Sequence, residues 1–133
     1  IAGILALIQK NSDAINVEHN TQKVSSKQVI VSNMKTYAKG WELTPNANCQ
    51  DGLLDIAINK KGSKLSMLAT FLLAAQRKRS PSSRIAYSQT KALTLKGSPN
   101  AFLQVDGDPI SFSGFANIRI EPAAFNIHVP LTQ

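Results

Sequence analysis

The sequence predicts a mainly β fold: a β-rich sandwich of antiparallel strands carrying one or two helices. Three observations predict it. Short alternating apolar segments recur along the chain with turn residues between them, the rhythm of a sandwich or barrel. Asp-Gly, a favoured two-residue hairpin connection, occurs at Asp51-Gly52 and again at Asp106-Gly107. One segment alone, Ser63 to Arg79, carries apolar residues at helical spacing. A length of 133 residues suits one domain with a real core, and a hydrophobic fraction of 43% excludes a disordered tail.

The elements follow in order. "IAGILALI", Ile1 to Ile8, is an apolar run well short of the ~20 residues that span a bilayer. No basic segment precedes it, so it is a poor signal peptide, and a buried helix is expected. "AINVE", Ala14 to Glu18, alternates weakly, and "SSK", Ser25 to Lys27, is turn-like. "QVIVSN", Gln28 to Asn33, reads as a buried strand. "WELTP" follows Gly40 and stops at Pro45; "LLDIAIN", Leu53 to Asn59, sets Leu54, Ile56 and Ile58 on one face. The helical segment comes next. Ser63 is its expected N-cap, Leu65, Leu68, Leu72 and Ala75 recur at helical spacing, and Met67 and Phe71 lie beside them. Arg77, Lys78 and Arg79 fall in or just past its last turn, where cations complement the helix dipole, and "SPSS" ends it. "RIAYSQ", "ALTLK", "AFLQV", "ISFSG", "NIRIEP" and "FNIHVP" complete the strand candidates.

Charge and composition narrow the partners. The net charge of +7 attracts anions: phosphates, nucleic acid or acidic lipid surfaces. Aromatics are sparse among the basic residues, with five Phe, two Tyr, one Trp and no RNP-like run, so nucleic acid is not an expected partner. The lone Cys49 excludes an internal disulfide and any CxxC metal pattern, and a reducing cytosol is the default location. His19 and His128 have no metal spacing and read as ordinary residues. Two Ser-x-x-Lys matches, at Ser32 and Ser88, lack the helix that pattern needs. No Gly-rich phosphate loop is present.

Taken singly, each Asp-Gly is a turn. Taken together, the motifs have an order: a strand ending in Asn33, a loop with Gly40, Pro45-x-Ala47, Asp51-Gly52-Leu53-Leu54-Asp55, a helix, several strands, Val105-Asp106-Gly107-Asp108, then "IRIEPAAFNIHVP". This order resembles the C-terminal domain of the diacylglycerol kinase and sphingosine kinase family, especially its bacterial lipid kinases, over nearly the whole chain.

The resemblance implies the second domain of the NAD kinase/diacylglycerol kinase-like two-domain architecture. An N-terminal ATP-binding α/β domain, with a Gly-Gly-Asp-Gly-Thr motif, is the implied partner and is not among these residues. ATP lies at the cleft between the two, and this chain alone is not expected to be an active kinase. The first residue is Ile1 rather than Met, as in a chain that starts inside a longer protein. By the same resemblance, Asp108 stands where family members carry a general base for the lipid hydroxyl, with Asp106 tuning it or helping with Mg²⁺. Asp51 matches an aspartate of a structural Mg²⁺ site that Asn48 and Leu53 would complete. Asn33 and Gly40 match the loop facing the nucleotide cleft, although "AKGW" stands where the family has paired glycines. The expected function is phosphoryl transfer from ATP to a lipid hydroxyl such as that of diacylglycerol, on an anionic membrane surface approached from the cytoplasm. Two other readings stay open: a non-catalytic lipid- or membrane-binding sandwich, and a sugar- or nucleotide-phosphate kinase on the same plan. A free sheet edge could also pair two copies into a homo-oligomer.

Overall fold

The computed structural model describes residues 4–8, 14–36, 40–76, 83–99, 101–124 and 126. The first residues, Arg77 to Ser82 and "IHVP" with His128 lie outside them. Ten strands and one helix are described: β1 Ile4–Ile8, β2 Ile15–His19, β3 Gln22–Ser26, β4 Gln28–Ser32, β5 Leu54–Asn59, α1 Lys64–Ala75, β6 Ile85–Thr90, β7 Ala92–Lys96, β8 Phe102–Val105, β9 Asp108–Ile110 and β10 Phe115–Arg119. They form a six-stranded sheet in the order β6-β5-β4-β1-β8-β9 and a four-stranded sheet in the order β10-β7-β2-β3. All pairings are antiparallel.

The alternation seen in the sequence fills the space between the sheets. Val29, Val31, Ile56, Ile58 and Leu103 come from one sheet, Ile15, Val17, Leu93 and Leu95 from the other, and Phe112 joins them. Side chains two apart on a strand share a face, so one residue of slip would turn these sets to solvent. The β2–β3 hairpin tip ties the sheets: Asn20 Nδ2 donates to the Gln89 carbonyl at 2.7 Å, and Thr90 Oγ1 donates to Asn20 Oδ1 at 2.9 Å.

Four expectations are corrected. The apolar run near the start is not a helix. Ile4–Ile8 forms β1, between β4 and β8 in the middle of the six-stranded sheet. A short apolar run carries no period to separate strand from helix, and pairing on both edges decides it. "WELTP" is not a strand either, because the stretch folds into a turn in which Ala47 N–H donates to the Thr44 carbonyl at 3.0 Å. Within "ISFSG" only Ile110 is strand; Asp108 and Pro109 precede it in β9.

The fourth correction concerns the helix. Ser63 caps it as expected, its side chain accepting from Ser66 N–H at 3.1 Å. The leucine stripe, however, is not the face that packs. Ser66, Thr70 and Ala74 are buried, whereas Leu65, Leu68 and Leu72 are exposed. Positions 66, 70 and 74 recur every fourth residue, so they lie on the one face of α1 that is turned inward. Ser66 Oγ donates to Asn59 Oδ1 at 3.0 Å and so fixes α1 over the outer face of β5. Asn59 is a hub: its Oδ1 also accepts from Lys61 N–H and Gly62 N–H, and its Nδ2 donates to Gln28 Oε1. At the far end of α1, Glu42 N–H donates to the Ala74 carbonyl at 3.1 Å, and Trp41 packs on Phe71 with ring centroids 6.1 Å apart.

Candidate functional site at one end of the sandwich

The strand registers collect residues that are distant in sequence. Ser32, the last residue of β4, pairs with Asp55 near the start of β5 and with Ile4 at the start of β1. Leu5 pairs with Val105 at the end of β8, and Val105 pairs with Asp108 at the start of β9. Leu54 pairs with Thr90 at the end of β6. Asn33, the turn before β5 and the β8–β9 hairpin therefore share one end of the six-stranded sheet. With adjacent strands ~4.8 Å apart, β4 and β8 are about 10 Å apart, and β5 and β9 about 19 Å.

The Asp106-Gly107 turn is the expected two-residue hairpin. Both residues have positive φ, 51° and 101°, as the right-handed twist of the flanking strands requires. Asp106 tolerates that region through its short polar side chain, and Gly107 has no Cβ to clash. The hairpin leaves Asp106 and Asp108 exposed. Pro109 sits on β9, the edge strand, where its missing N–H leaves no ladder bond unmade.

The Asp51 turn is built from its own side chains. Asn48 Oδ1 accepts from Gln50 N–H at 3.0 Å, and Asp51 Oδ1 accepts from Leu53 N–H at 2.9 Å. The Asn48 carbonyl accepts from Asp51 N–H at 3.4 Å. Gly52 completes the turn at φ 68°. Asn48, Asp51 and Leu53 are thus held on one short loop. Each of these contacts uses one lone pair, which leaves further oxygen lone pairs on the Asp51 carboxylate and on the backbone carbonyls. That donor set is all hard oxygen and suits Mg²⁺. No group of three or more His, Cys, Asp or Glu side chains that could hold a metal occurs among the described residues. At about 19 Å across the sheet, the Asp51 turn and Asp108 cannot share one ion.

Asn33 and Gly40 flank a loop of which residues 37–39 lie outside the description. Asn33 Oδ1 is buried with no hydrogen-bond partner among the described residues, at the same sheet end as the two aspartate turns. An unpaired buried carbonyl oxygen is costly, and such a group calls for a partner from elsewhere. Gly40 has φ 79° and precedes Trp41. The loop is anchored by Thr44 Oγ1, which donates to the Met34 carbonyl at 3.0 Å, and by the Lys35–Glu42 ion pair at 3.4 Å.

Two further groups carry no role in the sequence reading. Asp55 is 5% exposed, on the outer face of β5. Burial pushes its carboxyl up from the usual range; the Gln89 amide, 3.2–3.3 Å from both oxygens, opposes this, and nearby Asp51 adds to it. A "D" four residues after Asp51 was the available signal, but its burial and its Gln89 partner come from the fold and not from its sequence neighbours. His19 ends β2 and is buried, with Nε2 3.4 Å from Ser88 Oγ and Nδ1 without a partner among the described residues. Burial lowers its pKa, so the imidazole is neutral at pH 7. With no carboxylate to orient Nδ1, the His19–Ser88 pair lacks the third member that activates a nucleophile. Cys49 is free and exposed. An open groove of about 800 Å³ crosses the four-stranded sheet, lined by residues such as Glu18, Lys23, Thr94 and Arg119; none of the site residues expected from sequence lines it.

Residues 3–129 match the model of the YegS C-terminal NAD kinase beta sandwich-like domain. The chain belongs to that family. No curated protein matches it. Among solved structures, the YegS-type domain is similar to a provisionally assigned diacylglycerol kinase from Bacillus anthracis str. Sterne, with a TM-score of 0.66 at 18% identity, covering 89% of this chain and 40% of that one. It is also similar to another diacylglycerol kinase structure from that organism, with a TM-score of 0.61 at 14% identity, covering 94% of this chain and 55% of the other. At these identities the likeness establishes the fold, and the chain spans only about two fifths to just over half of those relatives. No helix among the described residues is long and apolar enough to cross a membrane.

Proposed function

We propose that the chain is the substrate-side domain of an ATP- and Mg²⁺-dependent lipid kinase, transferring the γ-phosphoryl group to a lipid hydroxyl such as that of diacylglycerol. The observation that carries the reading is the gathering of Asn33, the Asp51 turn and the Asp106–Asp108 hairpin at one sheet end, in a member of the YegS C-terminal family. Asp108 is the general base. It accepts the hydroxyl proton as the hydroxyl oxygen bonds to the γ-phosphorus and the bond to the leaving ADP breaks. A base must meet its substrate, and Asp108 is exposed on a hairpin that packing does not cover. Asp106 holds the turn that presents it. Mg²⁺, when bound with ATP, neutralises charge on the phosphates. Asp51, with carbonyls of Asn48 and Leu53, holds a structural Mg²⁺. Asn33 and the Gly40 loop face the nucleotide, which an ATP-binding domain of the same protein supplies. Its place of work is the cytoplasmic face of a membrane.

The complete protein tests the reading. Incubated with γ-labelled ATP, Mg²⁺ and diacylglycerol, it is expected to yield labelled phosphatidic acid; no labelled lipid from any neutral glyceride or long-chain base would overturn the reading. A second reading, a non-catalytic membrane-binding sandwich, is favoured by the leucines that α1 turns to solvent. An upstream domain without Gly-Gly-Asp-Gly-Thr would decide for it.

A further inference from the structure

The packing of α1 leaves a surface that the chemistry above does not use. Leu65 is 76% exposed, Leu68 55% and Leu72 56%. At positions i, i+3 and i+7 they form one continuous row, and Ala75, also exposed, extends it. At 1.5 Å of rise per residue, the row from Leu65 to Ala75 is about 15 Å long. A lone exposed leucine is ordinary in a soluble domain, but three in line on one helix are not. The inversion is built in, because Ser66, Thr70 and Ala74 dock on the sheet and Ser66 is bonded to Asn59. Turning the leucines inward would break that bond and put bulk where Ser66, Thr70 and Ala74 are now buried.

The charge around the row says what covers it. From Lys60 to Arg79 the sequence holds Lys60, Lys61, Lys64, Arg77, Lys78 and Arg79, and no acidic residue at all. The basic residues stand at both ends of the leucine row in sequence, and none falls between Leu65 and Gln76. An apolar stripe bracketed by cations matches the boundary of an anionic bilayer, where leucines enter the acyl region and cations meet the headgroups. The orientation is also apt: α1 follows β5 and ends beside Glu42, near the sheet end that carries Asn33 and the Asp51 turn.

We infer that the exposed face of α1, with Leu65, Leu68 and Leu72 as its apolar anchors, is the surface by which this domain docks on a bilayer containing anionic phospholipid. The choice of a bilayer rests in part on the lipid-kinase reading, whereas the exposed row and its flanking charge do not.

The test is vesicle co-sedimentation of the 133-residue chain, with phosphatidylcholine vesicles compared against vesicles carrying about a third phosphatidylglycerol. Binding is expected on the anionic vesicles, weakening with salt. At about tenfold per leucine, Leu65→Ser with Leu68→Ser and Leu72→Ser should reduce partitioning by a hundredfold or more. Thermal unfolding should be unchanged, since these side chains face solvent. Fluorescence of Trp41, the sole tryptophan, packed on Phe71 of α1, offers an independent signal of docking. Vesicle binding by the triple variant equal to the parent's overturns the inference. So does a parent that binds no vesicle, or one that forms a dimer which the triple variant dissolves. Phosphoryl transfer by the complete protein to a water-soluble short-chain diacylglycerol separates the two readings. Transfer without vesicle docking sinks this inference alone; docking without transfer sinks the kinase alone.

Discussion

Asn59→Ala is the sharpest test of how α1 is held. Asn59 is 4% exposed and joins four partners: Ser66 Oγ, the Lys61 and Gly62 N–H groups, and Gln28 Oε1. Truncation to Ala leaves Ser66 and Gln28 buried and without these bonds, because they are 5% and 8% exposed. The two turn N–H groups lie beside exposed Lys61, so water replaces that partner more cheaply. Stranding a buried polar group costs about 1–3 kcal/mol, so two such groups predict a loss of about 2–6 kcal/mol. That is a large part of the roughly 5–15 kcal/mol that keeps a domain folded. In urea the midpoint should fall with little change in slope, and at about 3–5 °C per kcal/mol the Tm should drop by roughly 6–30 °C. Ser66→Ala alone should lose about 1 kcal/mol, and the double variant should lose less than the sum, since both remove the same bond. A loss below about 1 kcal/mol for Asn59→Ala, or strict additivity with Ser66→Ala, would refute the hub and with it the fixed facing of the helix.

Two further predictions follow from titration and metal chemistry. Burial lowers the pKa of His19, so the unfolded chain binds the proton more readily than the folded one; stability should be fully present above pH ~6.5 and fall as pH drops below it. His19→Gln should flatten that part of the curve, and an unchanged slope in pH-dependent urea melts would count against a buried neutral imidazole. Mg²⁺ at millimolar concentration should raise the Tm of the parent but not of Asp51→Asn, which keeps an oxygen for Leu53 N–H while removing the charge. Equal shifts in both proteins would remove the Asp51 turn as a metal site.

Local chemistry made much of the fold legible. Ser63 announces the helix start, Asp106-Gly107 the hairpin, and the Leu54/Ile56/Ile58 alternation a core strand. What stayed hidden is decided by partners far along the chain. Ile4–Ile8 becomes a strand because β4 and β8 flank it, and no residue within it says so. The leucine row of α1 looks like a buried face until the bond from Ser66 to Asn59 of β5 turns the opposite face inward. The same holds for the site. Its aspartate turns are visible singly, but their shared sheet end is a property of register. The buried states of Asp55 and His19 depend on residues far along the chain, Gln89 of the neighbouring strand β6 beside one and Ser88 of the opposing sheet beside the other.

The central claim is that the β8–β9 hairpin presents a base to a lipid hydroxyl, and Asp108→Asn in the complete protein tests it most directly. Asn keeps the size and the exposed hairpin while losing the ability to take a proton. The account predicts that kcat for lipid phosphorylation falls by about a hundredfold to ten-thousandfold, with ATP binding and Tm unchanged. Transfer at the parent's rate by a folded Asp108→Asn protein would contradict it.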